Sequence, residues 1–255
     1  MLVGRSEIRL RSAAAWIAGR TGASPTVIIA DLSLLSETRR AADEVQALAP
    51  SLDILVNNAG TLSPRRVETV EGHELTLAVN HLAPFVLTRA LLPALLASGR
   101  GRVVMTGSST SDRSGIDPDD LELSRGWRMT RAYARSKLAL LMTSIETAGD
   151  PANRAVTVNV VHPGLVATSL VRSGGIDQAA WWLIAKFALS EAEGAATPLH
   201  AALAPELEGI TGRYIKGKFL VSPNRLALDP LLRARVLAAT QRLSDAGWVD
   251  SAPAS

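Results

Sequence analysis

The sequence predicts an α/β domain built on a parallel sheet with helices on both faces. Short runs of branched apolar residues alternate with longer helical patterns, the sign of repeated βα units. The runs are unalternating, as expected for parallel strands buried on both faces. At 255 residues and 47% hydrophobic content, with no Pro/Ser/Gly-rich linker or charge run to divide it, the chain can bury one large core.

Taken in order, residues 1–20 are Arg-rich and poor in acids, which fits either a transit peptide or a surface helix of the domain. The first clear strand pattern is Thr26–Ala30 (TVIIA), closing in Asp31-Leu32-Ser33. Asp53–Val56 (DILV) follows and closes in Asn57-Asn58-Ala59-Gly60. A helical pattern then spans Glu71–Ala97, with Asn80 inside it and Pro84 four residues on. Proline has no N–H for the carbonyl of residue 80 and its ring crowds that carbonyl, so a kink is expected there. The strand Arg102–Thr106 (RVVMT) ends in Gly107-Ser108-Ser109, a second long helix covers Ala132–Thr147, and Val156–Val161 (VTVNVV) ends in His162-Pro163-Gly164. In an open parallel sheet, ligands sit outside the carboxyl ends of the strands. That rule gathers Asn57, Gly60, Ser108, Pro163 and Gly164 around one cleft.

Tyr133 and Lys137, in Tyr-Ala-Arg-Ser-Lys, carry the most chemical information. Four residues apart on a helix, they share one face. A neighbouring ammonium favours the phenolate, so the pair is expected to lower the tyrosine pKa toward neutrality. The chain has only 2 Tyr, and Lys occurs only at 137, 186, 216 and 218.

Composition closes off several classes. With no Cys, disulfides, thiolate nucleophiles and Cys-ligated zinc are excluded. The four His (73, 81, 162, 200) fall in no metal-ligand spacing, so no metal is expected. A net charge of +3 with 4% aromatics and no Arg/Lys cluster argues against nucleic acid. The apolar stretch Ala179–Leu189, with Trp181 and Trp182, is broken by Lys186 and too short for a bilayer. A soluble, cytoplasmic protein without a membrane span is the expectation.

Together, Asn57-Asn58-Ala59-Gly60, Asn80, Gly107-Ser108, Tyr133-x-x-x-Lys137 and Pro163-Gly164 resemble the short-chain dehydrogenase/reductase family in order and spacing, from about Leu2 to Leu243. The resemblance implies a Rossmann-like, doubly wound sheet in a three-layer αβα domain spanning 1–255, with residues 170–200 as a substrate lid. It implies that Tyr133 is the general acid/base, that Lys137 tunes it and bonds the nicotinamide ribose, and that Ser108 holds the substrate oxygen, with Ser109 as the competing choice. Asn80 would hold a proton-relaying water through its main-chain carbonyl. Asp31 and Leu32 match the turn flanking adenine, Asn57, Ala59 and Gly60 the adenosine side, and Pro163, Gly164 and Thr168 the loop at the carboxamide. Arg5 falls at the end of the family's second strand, where an Arg pairs with a 2′-phosphate, favouring NADP over NAD. The 24 residues between Ser108 and Tyr133 and the tail Glu-Gly-Ile-Thr-Gly-Arg-Tyr-Ile are similar to the retinol-dehydrogenase and WW-domain-oxidoreductase-like branch. That likeness implies a lipophilic alcohol or carbonyl substrate; a homodimer or homotetramer is a family expectation.

One departure stands out. The family's opening strand and Thr-Gly-x-x-x-Gly-x-Gly turn have no counterpart here, because Met1-Leu2-Val3-Gly4-Arg5 already matches the second strand. In the strand order 3-2-1-4-5-6 the missing strand is central. Three explanations stay open: a chain shortened relative to the full protein, a non-catalytic binding or regulatory protein on a remnant fold, and a sheet that closes over the gap with a diminished cofactor site. The expected function is NAD(P)-dependent interconversion of an alcohol and a ketone or aldehyde.

Overall fold

A computed structural model describes residues 1–164 and 189–245. Its elements run β1 (Leu2–Gly4), α1 (Glu7–Thr21), β2 (Val27–Ile29), α2 (Leu35–Leu48), β3 (Ile54–Asn57) and α3 (Leu75–Ala97). They continue with β4 (Gly101–Thr106), α4 (Met129–Gly149), β5 (Val156–His162), α5 (Glu191–Leu203), β6 (Tyr214–Lys216), β7 (Phe219–Val221) and α6 (Pro230–Asp245). The four strand patterns and both long helices of the sequence reading are present. The strands β6 and β7 lie outside those patterns because three residues each leave no period to read.

The strands form two sheets, β1-β2 and β3-β4-β5-β6-β7, parallel throughout except for the β6–β7 hairpin. No ladder joins β1 to β3, so the doubly wound sheet is split at the place where the central strand was expected to be missing. Both parts still share one core. Ile28 and Ala30 from β2 pack with Ala41 and Val45 of α2, Leu91 and Leu95 of α3, Val103 and Met105 of β4, and Leu138–Met142 of α4, with Val3 and Leu55 against them. A second cluster, on the other face, joins Val104 and Val161 to Ala201 and Ala202 of α5, with Ile54 against it. Alternation along each strand therefore defines an α2/α3/α4 face and an opposite face that carries α1 and α5.

The helix α3 is long and apolar enough to cross a bilayer, but 72% of its apolar window is buried against the core. The kink expected in it is a single wider π-type turn at Ala78–Leu82, where the N–H of Ala83 reaches back to the carbonyl of Ala78. Pro84, which cannot donate to Asn80, accounts for the shift in bonding there. Of the segment expected as a lid, Trp181, Trp182 and the rest of 170–188 lie outside the described residues. Its final part, from Glu191, belongs to α5, which packs on the sheet.

Candidate active site

The site is assembled from the carboxyl ends of β3, β4 and β5 and from the inward faces of α3 and α4. Ser108 caps the short turn Ser109–Arg113 after β4, and its Oγ accepts from the N–H of Thr110 at 3.3 Å and from Thr110 Oγ1 at 3.0 Å. Both acceptor positions are thus taken, and the serine's own proton is left to donate. Tyr133, half-buried on the first turns of α4, is the group it meets: burial pushes the phenol above its ordinary pKa, and the hydrogen bond from Ser108 opposes that rise. Ser108 is buried, whereas the neighbouring Ser109 side chain is exposed.

Lys137, one turn further along α4, is 3% exposed, and its Nζ donates to the carbonyl of Thr106 at 2.7 Å. Burial alone pushes its pKa down to about 8. The expected effect of this lysine on the tyrosine is corrected here. Tyr133 moves up, not down, because desolvation of the phenol dominates and Nζ sits 6.0 Å from the ring centroid, already bonded to the strand end.

Asn80 is fully buried in the π-type turn of α3, and its side chain rather than its carbonyl makes the visible connections. Its Oδ1 accepts from the N–H of Thr61 at 2.7 Å, and its Nδ2 donates to the Thr61 carbonyl at 3.0 Å and to Ser136 Oγ at 3.1 Å. Ser136 in turn donates to the carbonyl of Tyr133 at 2.8 Å. Asn80 thereby ties the loop after β3 to the helix carrying the tyrosine. Neither Thr61 nor Ser136 stood out in the sequence; the only signal was that Ser136 directly precedes Lys137. Gly60 completes the cluster: a Cβ placed on it would lie 3.4 Å from Asn80 Oδ1 and 3.8 Å from Lys137 Nζ.

The other expected residues divide. Ala59 and Gly60 are exposed at the carboxyl end of β3, and Pro163 and Gly164 follow β5, so these four lie at the strand ends where the sequence placed them. Gly164 has φ +89°, and a Cβ there would meet Leu189 Cδ1 at 2.6 Å, so only glycine fits. Asn57 departs from its expected role. Its Nδ2 donates to Thr88 Oγ1 at 2.9 Å and points at Met105 Sδ, so the side chain is turned into the core instead of toward a ligand. Asp31 bonds its own turn through the N–H of Ser33 at 2.9 Å, with Leu32 partly exposed beside it, and Arg5 is exposed just past β1. Thr168 lies outside the described residues.

A polar cluster behind Ser108 was not foreseen. Asp112 pairs with Lys216 of β6, the N–H of Ser109 donates to His162 Nδ1 at 3.3 Å, and Asn224 Nδ2 holds the carbonyls of Ser111 and Ser114 at 2.8 and 2.9 Å. These contacts fix the turn that presents Ser108. They join positions more than 50 residues apart and leave no local pattern in the sequence. His162, Lys216 and Gly164 also line a cavity of about 430 Å³ with Leu189 and Thr197, beside the Pro163-Gly164 turn.

Comparisons with known proteins agree with the fold. The family model described as short chain dehydrogenase matches residues 1–178. Mouse polyprenol dehydrogenase (Mus musculus) is 42% identical over 236 residues, covering 87% of this chain and 68% of that protein. Human retinol dehydrogenase 14 (Homo sapiens) is 36% identical over 192 residues, 72% of this chain and 56% of that protein. Among solved structures, an uncharacterized protein from Mycobacterium paratuberculosis superposes with a TM-score of 0.73 at 28% identity, covering 95% of this chain and 82% of that one. A short chain dehydrogenase from Shigella flexneri, complexed with NADP, gives a TM-score of 0.64 at 27% identity, covering 85% and 84%.

Proposed function

The chain belongs to the short chain dehydrogenase family of NAD(P)-dependent alcohol and carbonyl oxidoreductases, in its retinol-dehydrogenase-like branch, and from that premise we propose that it reduces a lipophilic aldehyde or ketone, and oxidises the matching alcohol, with Tyr133 as the proton-transferring group. The observation that carries this reading is the buried Lys137 on the same helix as Tyr133, its Nζ 6.0 Å from the phenol ring, with Ser108 beside the phenol. A bound nicotinamide supplies or accepts the hydride. Tyr133, held protonated by its burial, gives its proton to the carbonyl oxygen as the alcohol forms, and takes it back in the reverse direction. Ser108, with its acceptor positions filled by Thr110, donates a hydrogen bond to the same oxygen and steadies the developing charge. Lys137, whose Nζ would lie 3.8 Å from a Cβ on Gly60, is placed in this reading to meet the cofactor's ribose beside that exposed turn. The remaining roles follow the same reading: Asn80 as the anchor of a proton relay to Lys137, and Ala59, Gly60, Pro163 and Gly164 as the cofactor-facing turns.

The residues present fit the nicotinamide end of the cofactor better than its phosphates. No described helix offers a Gly-rich turn for the pyrophosphate at its amino terminus. NADP is preferred over NAD in this reading because Arg5 is exposed at the carboxyl end of β1, where a 2′-phosphate would be met. The polyprenol and retinol named in the two relatives, both long apolar alcohols, support a lipophilic substrate. The test is NADPH consumption with retinal, a polyprenal and a short polar ketone in parallel. Turnover of the apolar aldehydes above the short ketone is expected; turnover of none of the three, by a folded protein that binds NADPH, would overturn the assignment.

A further inference from the structure

The ladder between β4 and β5 stops at the residue before Ser108, and the cause is one proline. In a parallel pair, a residue donates its N–H to one residue of the neighbouring strand and accepts, at its C=O, from the residue two further on. Gly107 makes the first of these bonds: its N–H donates to the carbonyl of Val161 at 2.7 Å. The second would come from position 163, and Pro163 has no N–H to give. The next N–H that would have continued the ladder, that of Ser109, turns to the side chain of His162 and meets its Nδ1 at 3.3 Å. An imidazole therefore stands in for a main-chain rung, one residue beyond Ser108.

That bond fixes the state of the ring. An amide N–H can only donate, so Nδ1 must carry its lone pair and the ring proton sits on Nε2. A proton on Nδ1 would set N–H against N–H and break the contact. His162 is half-buried at the end of β5, and charged groups reach it from three sides. Lys216 is its register partner on β6, Asp112 pairs with Lys216 from the turn after β4, and Glu193 of α5 and Lys218 line the adjoining cavity with it. Burial and the charge of Lys216 oppose a second ring proton more than Asp112 favours it, which holds the pKa below the ordinary 6.5. The contact is whole at neutral pH and is lost as pH falls below that range.

Other ties of the turn sit farther along it: Asn224 holds the carbonyls of Ser111 and Ser114, and Lys216 holds Asp112. The His162 contact reaches the turn at the residue adjoining the serine. We propose that His162 is a positioning residue for Ser108, which in its neutral form holds the turn with the serine beside Tyr133 and when protonated releases it. The kinetic consequence rests on the hydride-transfer reading; the structural one does not.

The test has an arm for each. By NMR of the wild-type protein labelled with 15N-histidine, His162 Nδ1 should be bare at pH 7.5. As the ring takes up its proton, exchange of the Ser109 amide should quicken at least about tenfold relative to amides of β4. In steady-state aldehyde reduction, kcat should fall at least about threefold from pH 7.5 to 5 while KM moves less. His162→Leu, which removes the acceptor, should lower kcat about tenfold at pH 7.5 and flatten the profile. His162→Asn, whose Oδ1 takes the place of Nδ1 and accepts at every pH, should restore most of the rate and stay flat to pH 5. An acid limb retained in His162→Asn would overturn the proposal, and so would a Ser109 amide indifferent to the His162 proton. Should no aldehyde be turned over, the hydride-transfer reading fails and the NMR arm alone decides; it needs no variant to fold.

Discussion

The two halves of this molecule differ in how completely they are built. In the half formed by β3–β7, α3 and α4, Ser108, Lys137 and Asn80 each hold hydrogen-bond partners near Tyr133, and the turn presenting the serine is pinned from β5, β6 and the segment after β7. In the half formed by β1 and β2, two three-residue strands stand as a separate sheet, α1 buries no residue, and Arg5 is exposed. The contrast separates two kinds of support within one fold. The contacts around Tyr133 run between α3, α4 and the end of β4 and do not pass through β1 or β2.

The strongest way to sharpen that contrast is to remove the proton. Tyr133→Phe should lower turnover by about 10²–10⁴-fold, with the melting curve nearly unmoved. Equal turnover in steady-state assays would detach chemistry from the better-built half. Asn80→Ala should come next. It orphans both main-chain groups of Thr61 and removes one of the two hydrogen bonds of the Ser136 hydroxyl, at a cost of about 3 kcal/mol by urea denaturation. A loss below about 0.5 kcal/mol would mean that the loop after β3 is not held through this residue.

Acid should attack the same half through His81. Burial, aided by the charge of Lys137, pushes its pKa down to about 3, and its Nε2 meets Thr240 Oγ1 at 2.8 Å, joining α3 to α6. The unfolded chain binds a proton near the ordinary histidine value while the folded chain does not. Stability due to this group is therefore complete above about pH 6.5 and is lost as pH falls toward 3. Between pH 6.5 and 4.5 the linkage amounts to about 2–3 kcal/mol. His81→Gln should flatten the pH dependence of the urea midpoint in that window, and an unchanged slope would count against it. The smallest effect belongs to the open half: Arg5→Asp should shift the NADP/NAD preference by about tenfold, or about 1.4 kcal/mol, read as the ratio of the two kcat/KM values.

Much of this was legible in the residues. Branched runs ending in turn chemistry located β2–β5, because parallel strands buried on both faces leave that trace. The absent Gly-rich turn foretold the split in the sheet. What was not legible came from long-range contacts and from burial. The Asp112–Lys216 pair and the His162 contact to the turn after Ser108 join distant positions. Asn57, read as cofactor-facing, turns inward to Thr88 because a buried carboxamide at the end of β3 finds its partner on α3. The direction of the Tyr133 shift was missed for a related reason: spacing shows that an ammonium is near, but not that burial outweighs it.

The most direct test of the contrast between the halves is amide hydrogen exchange across the two sheets of the 255-residue chain. Exchange from Leu2–Gly4 and Val27–Ile29 that is at least about a hundredfold faster than from Gly101–Thr106 and Val156–His162 is the result this account predicts. Equal protection in all four strands would contradict it, showing that the two-stranded sheet is held as firmly as the five-stranded one.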